Sequence, residues 1–283
     1  MVVDPVWVNG NLLAAAAARV RVDDHGLVVG DGVFETIRTR GGRPFAVRRH
    51  LDRLRRSAAG LRLEVPADDD TLRAAIDATL AGGGSDGGLD RLGGEARIRV
   101  TVTGGPSPLG SGRGGEPPTV IMAAAPLGER HDSAAVAAVP WPRNERGATA
   151  GLKTTSYAEN VIALDHARRH GADEAIFSNT VGKLCEGTGS NVFVVLDDVV
   201  LTPPLHSGCL AGVTRALVLE AGLAEEGDVD LATFTAASEA FLTSTTRDVQ
   251  PIVAIDGRTL AVGEQTAKIA AAFEAWAGAD LDP

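Results

Sequence analysis

Two side chains in the stretch 151–191 have types and surroundings suited to chemistry. Lys153 stands in Gly151-Leu152-Lys153-Thr154-Thr155-Ser156-Tyr157, and Glu186 in Lys183-Leu184-Cys185-Glu186-Gly187-Thr188-Gly189-Ser190-Asn191. Both have small or apolar neighbours. A lysine desolvated in such a setting loses proton affinity and becomes an amine nucleophile. A buried glutamate in such a setting needs a cationic partner. On pattern alone, a lone Lys and a lone Glu are surface residues more often than catalytic ones. Ser156 follows Lys153 by three residues, but a Ser–Lys hydrolase pair has the order Ser-x-x-Lys, and no oxyanion-hole signal accompanies it.

The elements that must hold these residues are partly legible. Val6 to Gly10 reads as a strand ending in a turn, and Asp23 to Gly26 as another turn. Gly30 and Gly32 bracket Asp31, which permits a bulge or a close backbone approach. Phe34 and Thr36 then alternate with Val33, Glu35 and Ile37, as in a strand. Arg48 to Gly60 is predicted helical: Leu51, Leu54, Ala58 and Leu61 recur at helical spacing, and Gly60 suits a stop. Its arginines read as a solvated face, with Asp52 a partner for Arg55 and Arg56. Arg53 lies at the edge of the apolar stripe, where a half-buried guanidinium can offer a fork to a phosphate. Spacing alone does not choose it over Arg55.

Thr71 to Leu80 is helical in pattern, and 82–88 is a glycine-rich flexible loop. Arg97 to Thr103 alternates as a strand, with Arg97, Arg99, Thr101 and Thr103 on one face; such a pair of arginines fits carboxylate recognition or a solvated face. Gly104 to Pro118 lacks the ending of a Walker loop; it is a lid or a long hairpin loop. Residues 119–124 read as a buried strand, 126–132 as a connection and 134–140 as a further strand. If the backbone after Lys153 is helical, Tyr157 shares its face. Val161 to His170 reads as a helix with Arg168, Arg169 and His170 at its negative end, which makes His170 a helix-end residue. Strands follow at 175–177 and 192–196. Gly212 precedes a helix whose first turn holds Val213 and Thr214; its free N–H groups suit a phosphate, and the same residues suit a cap. Ser244 and Thr245 end a strand and offer hydroxyls to an anion. The segment 267–276 reads as a covering helix.

Composition narrows the class. The length of 283 residues fits two modest domains or one large one. A net charge of -10 argues against a general nucleic-acid binder. The two cysteines, Cys185 and Cys209, lack metal-ligand spacing. No metal site, signal peptide or transmembrane span is read, so a soluble cytoplasmic protein is the expectation.

From Val6 to Val249 the chain resembles the class IV, fold-type IV pyridoxal-phosphate family. That family includes branched-chain aminotransferases, D-amino-acid aminotransferases and aminodeoxychorismate lyases. The matching segments are Gly30 to Arg38, His50 to Leu54, the stretch around Lys153, that around Glu186, and Val213-Thr214. The resemblance implies a mixed α/β (α+β) enzyme of two domains: a small N-terminal one at 1–125, a connection at 126–132, and a larger cofactor-binding one at 133–283. It implies pyridoxal 5′-phosphate in the interdomain cleft and a homodimer.

By the same resemblance, Lys153 is the Schiff-base lysine and Glu186 the partner of the ring nitrogen. Arg53, Val213, Thr214, Ser244 and Thr245 hold the phosphate, Thr245 matching better than Ser244. Tyr157 contacts the cofactor, and Phe34, Thr36, Arg38 and Arg99 line the substrate. The implied partners are small amino and 2-oxo acids, with neither nucleic acid nor membrane. An aminotransferase for a small amino acid is the first reading, an aminodeoxychorismate lyase the second, and a non-catalytic binding protein the third. Arg38 and Arg99 lean toward the branched-chain pattern; Thr154-Thr155-Ser156 departs from it.

Overall fold

The computed structural model describes residues 3–82, 94–129 and 131–283. The glycine-rich stretch read as a loop lies, from residue 83 to residue 88, outside the described residues. The chain divides into two compact units. The first comprises Met1–Glu129, Leu152–Tyr157 and Asp280–Pro283; the second comprises Arg130–Gly151 and Ala158–Ala279. The chain thus leaves and re-enters the first unit around Lys153.

In the first unit, β1 (Val3–Val8), β2 (Asn11–Leu13), β3 (Gly32–Arg40), β4 (Arg43–Pro44), β5 (Ala96–Thr103) and β6 (Thr119–Pro126) form an antiparallel sheet in the order β2-β1-β6-β5-β3-β4. Period-two alternation sorts β3 into two faces. Val33 and Ile37 enter a core with Ile98, Val100 and Met122, closed by Leu51 and Leu54 of α2 (Val47–Gly60) and Leu72 and Ile76 of α3 (Asp69–Ala81). Phe34, Thr36 and Arg38 alternate with these core residues. Across the ladder they pair with Thr101, Arg99 and Arg97.

Several local expectations are corrected. The turn at Asp23–Gly26 becomes a one-turn helix, α1 (His25–Val28), because the Asp24 carboxylate caps it through the Gly26 N–H. The stop at Gly60 holds, since α2 ends there, but the glycine also serves close packing: a Cβ there would come within 2.6 Å of Leu152 Cδ1, and it is Arg62 that takes the left-handed conformation at φ 53°. Asp52 does not take Arg55, whose Nε donates to Asp69 Oδ1 at 2.7 Å. The arginines are also not all solvated: Arg53 is buried, while Arg48 and Arg49 both donate to the Pro283 carbonyl, at 2.7 and 2.8 Å.

The loop 104–118 is fastened at its middle. Asp31 takes Arg113 through two hydrogen bonds of 2.6 Å, and its Oδ2 also faces His25 Nδ1 at 2.7 Å. His25 Nε2 faces the Gly110 carbonyl at 2.8 Å. Both partners only accept, so both ring nitrogens carry protons. Asp31 and then the Gly110 carbonyl push the His25 pKa up, and Arg113 chiefly holds that of Asp31 down. The raised value means that His25 contributes stability fully below its ordinary 6.5, and the contribution is lost as pH rises through the folded-state value. Arg113→Ala is expected to cost only about 1 kcal/mol of global stability. Limited proteolysis should nevertheless cut 107–116 several-fold faster in the variant. An unchanged cutting rate would show that Arg113 does not restrain the loop.

In the second unit, nine strands form one sheet: β7 (Ala134–Ala138), β8 (Glu174–Ser178), β9 (Leu184–Gly187), β10 (Asn191–Leu196), β11 (Val199–Thr202), β12 (Glu225–Glu226), β13 (Glu239–Ser244), β14 (Asp248–Ile255) and β15 (Arg258–Thr259). The order is β12-β11-β10-β13-β14-β7-β8-β9, with β15 on β14. Alternate residues feed two cores. Val136, Ile176 and Leu184 join Val192, Phe234 and Leu242 on one side. Ala137, Phe177 and Cys185 meet Ala163 and Ala167 of α4 (Ala158–Arg169) on the other. The helices α5 (Val213–Glu220), α6 (Leu231–Ala236) and α7 (Glu264–Ala279) complete the unit among the described residues. Among those residues no helix is long and apolar enough to cross a membrane.

Candidate active site

In the first unit, Leu152–Tyr157 is not helical but runs beside β3. The Phe34 N–H donates to the Lys153 carbonyl at 3.1 Å, the Thr155 N–H to the Gly32 carbonyl at 2.8 Å, and Val33 and Thr154 form a bridge. The Lys153 N–H donates to Ser57 Oγ of α2 at 3.1 Å. Lys153 and Tyr157 therefore meet through Phe34 rather than along a helix face. Lys153 Nζ lies 4.4 Å from the Phe34 ring centroid, and Tyr157 packs edge-on at 5.2 Å. The Arg99 guanidinium stacks on the same ring at 3.5 Å, its Nε donating to Thr101 Oγ1 at 3.3 Å. Desolvation by its neighbours lowers the Arg99 pKa, with Tyr157 acting the other way, although the residue keeps an exposed edge. The structure thus brings together an amine, a guanidinium, the one tyrosine of the chain and a buried aromatic ring. Thr36 stands directly across from Arg99, and Arg38 is buried, its Nε on the Thr39 carbonyl at 3.1 Å.

The chain has three lysines. Lys183 pairs with Asp230 at 2.9 Å and Lys268 with Glu264 at 2.8 Å, and each carboxylate raises its lysine's pKa. Lys153 is the lysine that lies against an aromatic ring.

Arg53 faces the other side of β3. Its Nε and Nη2 donate to Glu35 Oε1 and Oε2 at 2.7 and 2.8 Å, and His50 Nδ1 lies 2.7 Å from Oε2. Glu35 is fully buried. Burial works to raise its pKa, but Arg53 and His50 outweigh that and hold it well below the carboxylate range. Burial lowers the His50 pKa against the pull of Glu35, so His50 donates as a neutral imidazole. The structure does not place Arg53 with Phe34, and Glu35 engages two of its nitrogens.

In the second unit, Glu186 sits on β9, a strand that sequence patterning missed, opposite Phe177 of β8. Its Oε2 accepts the Leu210 N–H at 2.9 Å, and its Oε1 lies 3.3 Å from Arg143 Nε. Asn191 Nδ2 donates to the Leu210 carbonyl at 2.9 Å, which fastens the segment leading into α5. Gly212 is the N-cap of α5, and no side chain caps that terminus. The N-terminal amides of Val213 and Thr214 therefore have no side-chain cap, and both residues are buried. Ser244 Oγ accepts the Arg247 N–H at 3.2 Å, while Thr245 is half-buried in the turn.

Sequence reading missed Glu174 and Arg143. Buried Glu174 takes the Thr188 N–H at 3.0 Å, the Thr188 hydroxyl and the Ser190 hydroxyl at 3.1 Å, and so shapes the loop after Glu186. Nothing in the spacing marks it. Arg143 lies in a polar stretch that reads as loop.

Comparison with known proteins agrees with this geometry. Residues 32–255 match the family described as amino-transferase class IV. The D-alanine aminotransferase of Listeria innocua is 31% identical over 271 residues, covering 92% of this chain and 90% of that protein. The crystal structure of a branched-chain aminotransferase from Thermoproteus uzoniensis with norvaline superposes with a TM-score of 0.85 at 32% identity, covering 96% of this chain and 93% of that one. A T.th. branched-chain amino acid aminotransferase complexed with N-(5′-phosphopyridoxyl)-L-glutamate has a TM-score of 0.83 at 27% identity, with coverages of 96% and 93%. With its two sheets, its lysine on the Phe34 ring and its carboxylate on β9, the chain belongs to the class IV aminotransferases, enzymes of fold type IV that depend on pyridoxal phosphate.

Proposed function

We propose that this protein moves an amino group between a small amino acid and a 2-oxo acid, with Lys153 and bound pyridoxal 5′-phosphate. The observation that carries the reading is the cluster on Phe34, where an amine and a guanidinium share one ring. The residues fit the cofactor. Lys153 offers an amine for its aldehyde, Glu186 a carboxylate for its ring nitrogen, and the N-terminus of α5 uncapped amides for its phosphate. Arg53, Ser244 and Thr245 are the further phosphate ligands, and Tyr157 is a further cofactor contact.

When bound, the cofactor supplies the carbonyl carbon that takes the amino group and a ring that withdraws electrons. The Lys153 amine moves the proton at the substrate α-carbon. Glu186 holds the ring proton in place. Arg99 orients a substrate carboxylate, while Phe34, Thr36 and Arg38 shape the substrate side. The free, buried cysteines fit a reducing cytoplasmic setting. Exposed Val20, Val22, Leu27 and Val29 of the first unit support a homodimer that covers them.

The test is a spectrophotometric half-reaction with single L- and D-amino acids. Loss of the bound cofactor's visible band with one donor, and its return with a 2-oxo acid, is the expected result. A band that no donor changes, with pyruvate released from aminodeoxychorismate, would replace this reading with a lyase. A band unchanged by every substrate would leave a binding protein.

A further inference from the structure

We propose that Arg143 is a positioning residue for Glu186: with the Leu210 N–H it fixes the carboxylate and keeps it ionised for a protonated ring nitrogen. This rests on the assignment of Glu186 to the ring nitrogen made above.

Each Glu186 oxygen has its own neighbour, Arg143 Nε at 3.3 Å on Oε1 and the Leu210 N–H at 2.9 Å on Oε2. Rotation of the carboxyl group would lose one of them. The cation beside it is itself held on several sides. Its guanidinium carbon lies 4.1 Å from the Phe177 ring centroid, and Nη1 donates to Asn160 Oδ1 at 3.1 Å and Glu159 Oε2 at 3.0 Å. The Asn160 amide continues to the Thr188 carbonyl, in the loop that follows Glu186. The Arg143 backbone is tied to β8 through its N–H on the Ser178 carbonyl at 2.7 Å. These contacts are all made within the second unit.

The Nε atom is buried and has no hydrogen-bond acceptor in line among the described residues. A buried donor in that state costs stability. An arginine selected for packing alone has no reason to bear that cost; the ion pair with Glu186 supplies one. Cys185 of β9 and Cys209 are titratable groups that also act with Glu186. Burial pushes both thiols up, that of Cys209 to about 11, so both are neutral at pH 7. Glu159 shares Arg143 but is largely exposed. Arg143 therefore brings fixed positive charge to the carboxylate.

The experiment titrates pyridoxal phosphate into apo-protein across pH, followed by absorbance, for the wild type, Arg143→Gln, Arg143→Lys, Glu186→Gln and the double variant Arg143→Gln/Glu186→Gln. Arg143→Gln is expected to weaken binding about tenfold and to move the acid limb of the absorbance titration about one unit toward higher pH. Arg143→Lys keeps a cation and should recover part of both changes. In the Glu186→Gln background, Arg143→Gln should change neither. Equal effects in both backgrounds, or no effect in either, would overturn the proposal. A silent Glu186→Gln would remove the ring-nitrogen assignment itself, a failure read separately.

Discussion

Lys153→Ala is expected to abolish amino transfer, lowering kcat about 10,000-fold or more, because one side chain serves as both amine and proton carrier. The fold should survive. The backbone makes two bonds at this position: the Lys153 N–H to Ser57 Oγ and the Phe34 N–H to the Lys153 carbonyl. Alanine keeps both. The side chain's contact with the Phe34 ring is worth about 0.5–1 kcal/mol. Steady-state rates and thermal melts on one preparation separate these effects. Neither other lysine can substitute, since Lys183 and Lys268 are held by Asp230 and Glu264. A variant retaining more than a few per cent of turnover would remove Lys153 from the chemistry.

The largest loss of stability is expected from Glu35→Ala. Glu35 is fully buried and takes both Arg53 and His50. Its removal breaks a buried ion pair from one side, which costs about 3–5 kcal/mol. That is a large share of the roughly 5–15 kcal/mol that stabilises a typical protein. The pH dependence follows from two depressed groups. His50 binds its proton less well in the fold than its ordinary 6.5, so stability falls as pH drops below that value. Glu35 likewise contributes above its ordinary 4.5, and its contribution is lost as pH falls toward the depressed folded value. Urea titrations at pH 7 and pH 4 should show a large gap between wild type and variant at pH 7 and a smaller one at pH 4. Equal stability at pH 7 would mean that the Arg53 charge is compensated elsewhere.

Periodicity made β3 and α2 legible, since Val33, Ile37, Leu51 and Leu54 each repeat at their element's own spacing. Resemblance singled out Lys153 and Glu186. The residues that hold them left little trace. Leu152–Tyr157 is not helical because its hydrogen bonds go to Gly32 and Phe34, more than 100 residues away, and no local pattern encodes that pairing. The strand Leu184–Gly187 is four residues long, too short for alternation to register. Arg55 chooses Asp69 over Asp52 because tertiary packing brings α3's first turn to it. Glu174 and Arg143 act on Glu186 and its loop through contacts 14 to 43 residues distant in sequence.

The most direct test of the central claim is reduction of the cofactor-loaded protein with borohydride, then proteolysis and peptide mass spectrometry. The phosphopyridoxyl group is expected on the peptide carrying Lys153. Its recovery on the Lys183 or Lys268 peptide, or on none, would contradict the account.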